Sequence, residues 1–327
     1  MNKYNWGIIG AGNIAGKFAE DLKLLPKARL KAVSSRSSGR SSAFAKKYNI
    51  PDAYDSWEAM AADPEIDIVY VATHHPFHFQ NTRECLEAGK AVVCEKPITM
   101  NRQELETLLR IARENKTFLM EAIWTRFLPS TLKVLEIMKS GELGNLKSVY
   151  ADFGFKVDYD PGHRLYDLAV GGGVLLDAGI YPVFISQLLA GPPTKIQATA
   201  SFAPSGADHS CSMILEHEHE VISSLNCTVL CNAPSEANIL FTNGWIRMES
   251  WWLSPGPITI HRKGEKPRLV KFREPGHGYH YEAAEVMHCL DNGRMESPAL
   301  PHDFSLDLMG TLDGIRAVCG IRYPQDE

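Results

Sequence analysis

The first third of the chain alternates short apolar runs with stretches of helical spacing. Residues 4–9, YNWGII, form one such run, and a helical pattern follows to about Leu25. A second run, Leu30 to Ser34, leads into helical spacing from about Gly39 to Tyr48 and a short helix at Ser56 to Ala62. Ile68 to Ala72 is continuously apolar, the pattern of a strand buried on both faces. Helical spacing from about His78 to Ala88, a run at Ala91 to Cys94, helical spacing over Arg102 to Asn115 and a run at Phe118 to Glu121 complete the series. Alternation of this kind predicts a doubly wound parallel sheet with helices on both faces, an α/β Rossmann domain. Strand C-termini line the ligand crevice of such a sheet, and Thr73, Glu95-Lys96 and residues 122–126 fall there.

From about Ser148 the period changes. Strand-like alternation recurs at Ser148 to Phe155, Lys195 to Phe202, Cys211 to Leu215, Val221 to Val229, Asn238 to Phe241, Trp245 to Met248, Ile258 to His261 and Leu269 to Phe272. One long helix, about Gly173 to Leu189, lies among them. The pattern predicts an α+β domain with a largely antiparallel open sheet, dividing the chain into residues 1–122 and 123–327. The helical tail from about Leu306 to Val318 can pack on either domain. An open antiparallel sheet has one face for helices and one to be solvated or covered. Apolar residues at both parities in Val221 to Val229 point to a homodimer through that second face, since two-fold pairing is the commonest closure.

A chain of 327 residues fits this division, because single cores stop growing near ~250–300 residues. Lys and Arg are scattered, without the basic block of a nucleic-acid binder, and the net charge is −5. No apolar stretch is read as approaching the ~18 residues of a membrane span, and Met1-Asn2-Lys3 runs straight into the first strand, so neither a span nor a signal peptide is expected. Seven cysteines, with Cys227 and Cys231 lacking a second pair, suit reduced thiols in a cytoplasm. His74, His75 and His78 do not form a metal set: two are adjacent and point apart, and no thiol or carboxylate lies nearby in sequence.

Chemistry enters with the string Gly10-Ala11-Gly12-Asn13-Ile14-Ala15, a G-x-G-x-x-G/A fingerprint between a strand and a helix. Gly10 permits the tight turn, Gly12 lets the backbone approach a pyrophosphate, and Ala15 still allows close helix packing. The anion then sits on unpaired N–H groups at the helix N-terminus. The second strand ends Ser34-Ser35-Arg36-Ser37-Ser38. A carboxylate there would meet a ribose hydroxyl; a guanidinium among hydroxyls suits a 2′-phosphate, so the cofactor reads as NADP(H).

Two further strings carry the reaction. Cys94 to Pro97, C-E-K-P, puts Lys96 just after a buried strand, and Gly171 to Tyr181, GGGVLLDAGIY, puts Asp177 and Tyr181 four residues apart, on one face if helical. A phenol near an ammonium has a lowered pKa and can exchange a proton with a hydroxyl near neutral pH. Asp177 among Leu, Ile and Val needs a partner or a site, because an unpaired buried charge is costly. Trp124, beside Thr125-Arg126 at the crevice edge, suits a substrate wall. For Trp251-Trp252, interface, core and pocket readings stay open. The run Glu216-His217-Glu218-His219-Glu220 reads as a solvated hairpin turn.

Together these motifs resemble the Gfo/Idh/MocA oxidoreductases, whose signatures are the N-terminal G-x-G-x-I-A, the E-K-P and G-G-G-x-L-x-D-x-G. CEKPITMN, MEAIWTRFLP (120–129), GGGVLLDAGIYPV (171–183), GHGYHYE (276–282) and YPQD (323–326) are similar to the dihydrodiol- and xylose-oxidising subgroup of that family. Many relatives carry His where Tyr181 stands. The resemblance implies a reaction centre of Lys96, Asp177 and Tyr181, with Tyr181 as proton donor and acceptor. It also implies cofactor contacts at Ile14, Arg36, Thr73, His78, Glu95, Lys96 and Arg164. A cis Lys96–Pro97 bond is often found in relatives and X–Pro bonds adopt cis at modest cost, which leaves the isomer open at this point. The expected pocket mixes Trp124, Phe153 and Tyr279 with Asp177, His280 and Arg164. Such walls suit a small polyhydroxy substrate, an aldopyranose or a trans-dihydrodiol. Two alternatives accompany this expectation: reduction of a sugar or anhydro-sugar ketone by the same site, and a non-catalytic NADP(H)-sensing regulator.

Overall fold

A computed structural model describes residues 3–36 and 38–326. They fall into two compact units, Met1–Arg126 with Glu274–Leu306, and Phe127–Arg273 with Asp307–Glu327. In the first unit the alternating half of the chain becomes β1 (Tyr4–Ile9), α1 (Asn13–Leu22), β2 (Ala28–Ser34), α2 (Ser38–Tyr48), β3 (Asp52–Tyr54), α3 (Trp57–Ala61), β4 (Ile68–Val71), α4 (His78–Glu87), β5 (Ala91–Glu95), α5 (Arg102–Asn115) and β6 (Leu119–Ala122). The six strands are parallel in the order β3-β2-β1-β4-β5-β6. The order reverses between β1 and β4, the position at which open α/β sheets bind ligands.

Helix α5 shows why these segments fold as they do. Leu105, Leu108, Leu109 and Ala112 recur at helical spacing and are buried, and the Asn101 side chain accepts from the Glu104 N–H at 2.9 Å to cap the first turn. Under β1 and β4 the core is aromatic. Phe18 of α1 stacks on Tyr70 at 3.7 Å, and Trp6 meets Phe18 at 5.5 Å.

The second unit opens with α6 (Pro129–Ser140), begun by a proline and ended by Gly141 in the left-handed region. After β7 (Leu146–Gly154) comes the site-bearing helix, a π-turn at Leu175–Gly179 continued by α7 (Ile180–Ala190). Seven more strands follow: β8 (Lys195–Phe202), β9 (Asp208–Glu216), β10 (Ile222–Thr228), β11 (Ala237–Phe241), β12 (Gly244–Met248), β13 (Ile258–Arg262) and β14 (Arg268–Val270). They join β7 in one sheet, ordered β14-β13-β12-β11-β7-β10-β9-β8. Every pairing is antiparallel except β7 with β10. The first unit takes back α8 (Tyr279–Asp291), and α9 (His302–Cys319) begins in the first unit and continues in the second.

One face of the eight-stranded sheet packs on the π-turn and α7 through Val149, Ala151, Leu225 and Cys227, all buried. The other leaves Tyr150, Ile214 and Ile222 exposed, with Tyr150 and Ile214 lining a hollow of about 550 Å³. Two sequence readings need correction. The stretch Leu168–Ala190 is long and apolar enough for a membrane span by composition, but 83% of its most apolar 18-residue window is buried inside the protein, so it is a core helix. The run 216–220 does turn between β9 and β10, yet His217 is not solvated. Its Nδ1 faces the Gly191 carbonyl at 2.8 Å, and its Nε2 lies 3.0 Å from the hydroxyls of Ser186 and Ser223.

Candidate active site

At the first βα turn, Gly10 has φ +107°, and a Cβ there would lie 2.5 Å from the Ala72 carbonyl oxygen, so only glycine fits. Above Gly12 no atom would lie within 4 Å of a Cβ, which leaves the approach to the α1 N-terminus open. Gly12 ends that helix without a side-chain cap, so its first N–H groups face the open side. Ile14 is 38% exposed beside this turn, an apolar surface next to an anion site. Ala15 is fully buried, as close packing requires. Asn13 opens the helix and Ser35 follows β2. Arg36 is exposed, with its guanidinium 4.2 Å over the Phe77 ring. An open cradle of this shape, with a cation at the end of β2, fits a dinucleotide.

Thr73 follows β4 and donates through Oγ1 to Asn81 at 2.9 Å. His78 opens α4 and is fully buried, with Nδ1 2.8 Å from the Pro97 carbonyl and Nε2 3.0 Å from the Thr73 carbonyl. Only the imidazolium could donate to both. Burial opposes that form, as does the nearby Lys96, and together they hold the pKa down to about 4. At neutral pH, therefore, His78 is a neutral tie between β4 and the β5 turn. Glu95 ends β5 and accepts from the Tyr70 hydroxyl. Lys96 follows, half-buried, joined to Pro97 by a cis peptide bond, the isomer the sequence left open.

A carboxylate that no motif flagged supports this turn. Glu121 of β6 is 2% exposed; it accepts from the Ile98 N–H at 3.1 Å and from the Ser305 hydroxyl at 2.7 Å. Burial pushes its pKa up to about 7. The signal for it was present: a Glu inside the apolar string FLMEAIW needs partners as much as Asp177 does. Trp124 stacks on Tyr279 at 4.5 Å, nearly parallel, and both rings are buried. His280 is turned to Asp21, whose carboxylate also accepts from the backbone N–H groups of His277 and Tyr279 at 2.8 Å. Asp21 thereby caps α8 from α1, another contact that no local pattern announced.

In the second unit Asp177 lies in the π-turn and Tyr181 in the first turn of α7. Single π-turns inside helices are rare and frequent at functional sites. Arg164 forks onto Asp177, Nη1 to Oδ1 at 2.8 Å and Nη2 to Oδ2 at 3.2 Å. Burial works against the guanidinium charge, but Asp177 outweighs it and raises the Arg164 pKa. The fork fixes the carboxylate plane. Tyr181 is 7% exposed, edge-on to Phe153 at 5.9 Å, and Phe153 in turn meets Trp251 at 5.5 Å. Trp251 is half exposed and Trp252 is buried, its Nε1 donating to the Asp152 carbonyl at 2.9 Å. The pair left open by the sequence thus divides, with Trp252 in the core.

Comparison with known proteins bears on both units. Residues 4–123 match the oxidoreductase family with an NAD-binding Rossmann fold, and residues 131–247 match the GFO/IDH/MocA C-terminal domain. Trans-1,2-dihydrobenzene-1,2-diol dehydrogenase of Mus musculus is 37% identical over 330 residues, and that of Homo sapiens 36% over 334, with 98% of each chain covered. Among solved structures, the aldose-aldose oxidoreductase of Caulobacter crescentus complexed with glycerol superposes with a TM-score of 0.89 at 22% identity, covering 98% of both chains. A 3-ketoreductase from Actinomadura kijaniata, in complex with NADP and TDP-benzene, gives 0.87 at 23%, covering 97% of this chain and 98% of its own. The fingerprint turn, the E-K-P turn and the Asp–Tyr helix thus sit on a scaffold shared along the whole chain, which belongs to the Gfo/Idh/MocA oxidoreductase family.

Proposed function

We propose that the protein is an NADP(H)-dependent dehydrogenase that oxidises a carbinol of a small polyhydroxy substrate, an aldopyranose or a trans-dihydrodiol. The observation that carries this reading is the pairing of a forked carboxylate, Asp177, with a nearly buried phenol, Tyr181, across one π-turn. The cofactor supplies the hydride acceptor when bound. Arg36 reads its 2′-phosphate, and the N-terminus of α1 holds its pyrophosphate. Tyr181 takes the hydroxyl proton of the substrate during oxidation and returns it in the reverse direction. Lys96, by the family resemblance, is assigned to bind the substrate oxygen. Asp177, its plane fixed by Arg164, orients a substrate hydroxyl. Phe153 offers an apolar wall beside Tyr181, and Trp124 with Tyr279 a second aromatic surface.

The relatives named for a dihydrodiol and for aldoses support this substrate class. The exposed sheet face, with Tyr150 and Ile214 at its hollow and Ile222 exposed on the same sheet, supports a homodimer through that face. Seven free cysteines suit a reducing cytoplasm. The test is NADP+ reduction across aldoses, polyols, inositols and dihydrodiols, followed by Tyr181→Phe on the best substrate. We expect turnover of an aldose such as D-xylose or of a trans-dihydrodiol. The Phe variant should lose ~100-fold or more in kcat, the scale of a general acid–base, with cofactor binding nearly unchanged. Activity on inositols alone would remove the substrate class, and a fully active Phe variant would remove Tyr181 from the chemistry.

A further inference from the structure

Asp208 opens β9, is 1% exposed, and belongs to none of the motifs that mark the family resemblance. Its Oδ2 accepts from the Leu175 N–H at 2.7 Å, and the nearby Val174 N–H favours the ionised carboxylate. Leu175 is the first residue of the π-turn that carries Asp177 and leads to Tyr181. A helix start leaves its first N–H groups without partners, and its positive end favours a carboxylate. Here the preceding residues are Gly171, Gly172 and Gly173, which have no side chain to serve as a cap. The cap comes instead from a strand 33 residues further along the chain.

The approach is close. A Cβ on Gly173, at φ +130°, would lie 2.1 Å from Asp208 Oδ1 and 2.8 Å from the Tyr323 hydroxyl oxygen. The glycine therefore makes room for the carboxylate to reach the turn. Burial raises the Asp208 pKa to about 6 against the pull of these backbone donors, so the group holds its place at a cost. Fold stability alone is a weak reason for such a residue, since buried ionisable groups are often matched or bettered by apolar packing.

We propose that Asp208 is a positioning residue, a cap supplied from β9 that sets the π-turn and with it the orientation of Asp177 and Tyr181. This rests on the reading that those two residues carry the chemistry. Asp208→Asn keeps an oxygen at the Leu175 N–H, Asp208→Glu displaces the carboxylate by one methylene, and Asp208→Ala leaves the N–H unpaired. With the full-length protein, Asn should retain kcat within about 3-fold. Glu and Ala should lose roughly 10- to 100-fold, the scale of a sub-ångström to ångström misplacement. KM for NADP+ should stay within about 3-fold throughout, and the primary deuterium isotope effect on kcat should rise in the damaged variants as chemistry becomes limiting.

Hydrogen–deuterium exchange gives a readout that needs no turnover. Peptides covering residues 172–182 should exchange about tenfold faster in the Glu or Ala variant, with β11 and β12 unchanged. If Ala does not accumulate as folded protein, the Asn–Glu comparison decides. Wild-type kcat and exchange in the Glu variant, or an Asn variant as impaired as Glu, would overturn the proposal. If the wild type turned over no carbinol in the panel, the dehydrogenase reading would fall while the exchange comparison still judged Asp208 as the cap.

Discussion

Glu121→Gln isolates what a buried carboxyl contributes beneath the E-K-P turn. Glu121 has a folded pKa of about 7 against an ordinary value of 4.5, chiefly because burial disfavours its charge; its bonds from Ser305 and Ile98 pull the other way and lose. The folded state therefore binds this proton more tightly than the unfolded chain does. The group's contribution to stability is highest below pH 4.5, falls as the pH rises from 4.5 to about 7, and is a constant penalty above that. The difference of about 2.5 units amounts to roughly 3 kcal/mol at 1.36 kcal/mol per unit. Gln has the same shape and no charge. Its carbonyl oxygen can accept from the Ile98 N–H, and the Ser305 hydroxyl can rotate to accept from its amide.

The expected outcome is a stability difference between variant and wild type that grows with pH. It should be near zero at pH 4.5 and approach ~3 kcal/mol in favour of Gln at pH 8–9. For a unit of this size ~3 kcal/mol corresponds to a rise in Tm of roughly 6–12 °C. Calorimetry at half-unit pH steps, with the two units' transitions separated where they diverge, supplies the measurement. A pH-independent difference would refute the argument, as would a Gln variant less stable than wild type at pH 9.

Arg36→Ala should weaken NADPH by roughly 1.5–3 kcal/mol, the loss of one charge-assisted contact, and NADH far less. Fluorescence titration of both cofactors measures it, and equal losses would end the role given to Arg36. Light scattering at micromolar concentration should give a dimeric mass for the wild type. Ile214→Glu, on the exposed sheet face, should shift it towards the monomer; a wild-type monomer would dismiss the homodimer.

Local pattern was sufficient for most of the fold. All eight strands expected after Ser148 are present, because period-2 burial is a property of each strand by itself. Pairing is not such a property. The parallel contact of β7 with β10 joins segments about 74 residues apart, Ser148 with Ile222, and nothing in either segment encodes that partner. The π-turn was hidden for a related reason. GGGVLLDAGIY has helical apolar spacing, but its wide turn accompanies tertiary contacts such as the packing of Gly179 against Cys227, whose sulfur would lie 2.8 Å from an added Cβ. His217 looked solvated because its neighbours Glu218, His219 and Glu220 are, while its own partners come from α7 and β10.

The same limit explains which site residues could be read. Gly10, Lys96, Asp177 and Tyr181 sit in short strings whose chemistry is local: a turn, a strand end, one helix. Glu121 and Asp208 act at a distance in sequence, and each does so on a main-chain N–H two residues from a residue assigned to the reaction. Glu121 holds Ile98, two after Lys96, and Asp208 holds Leu175, two before Asp177. Both carboxyls are nearly inaccessible and both have raised pKa values, so each opposes its own burial. An apolar residue would fill either space at less cost but could not accept from the backbone, and the turn beside the reacting side chain would be left with an unpaired donor. A buried acid in an otherwise apolar strand, as Glu121 is, is therefore a cue even where no motif surrounds it, whereas Asp208, followed by His209 and Ser210, carries no such cue. The question it raises is which N–H it serves, and only the three-dimensional fold answers that.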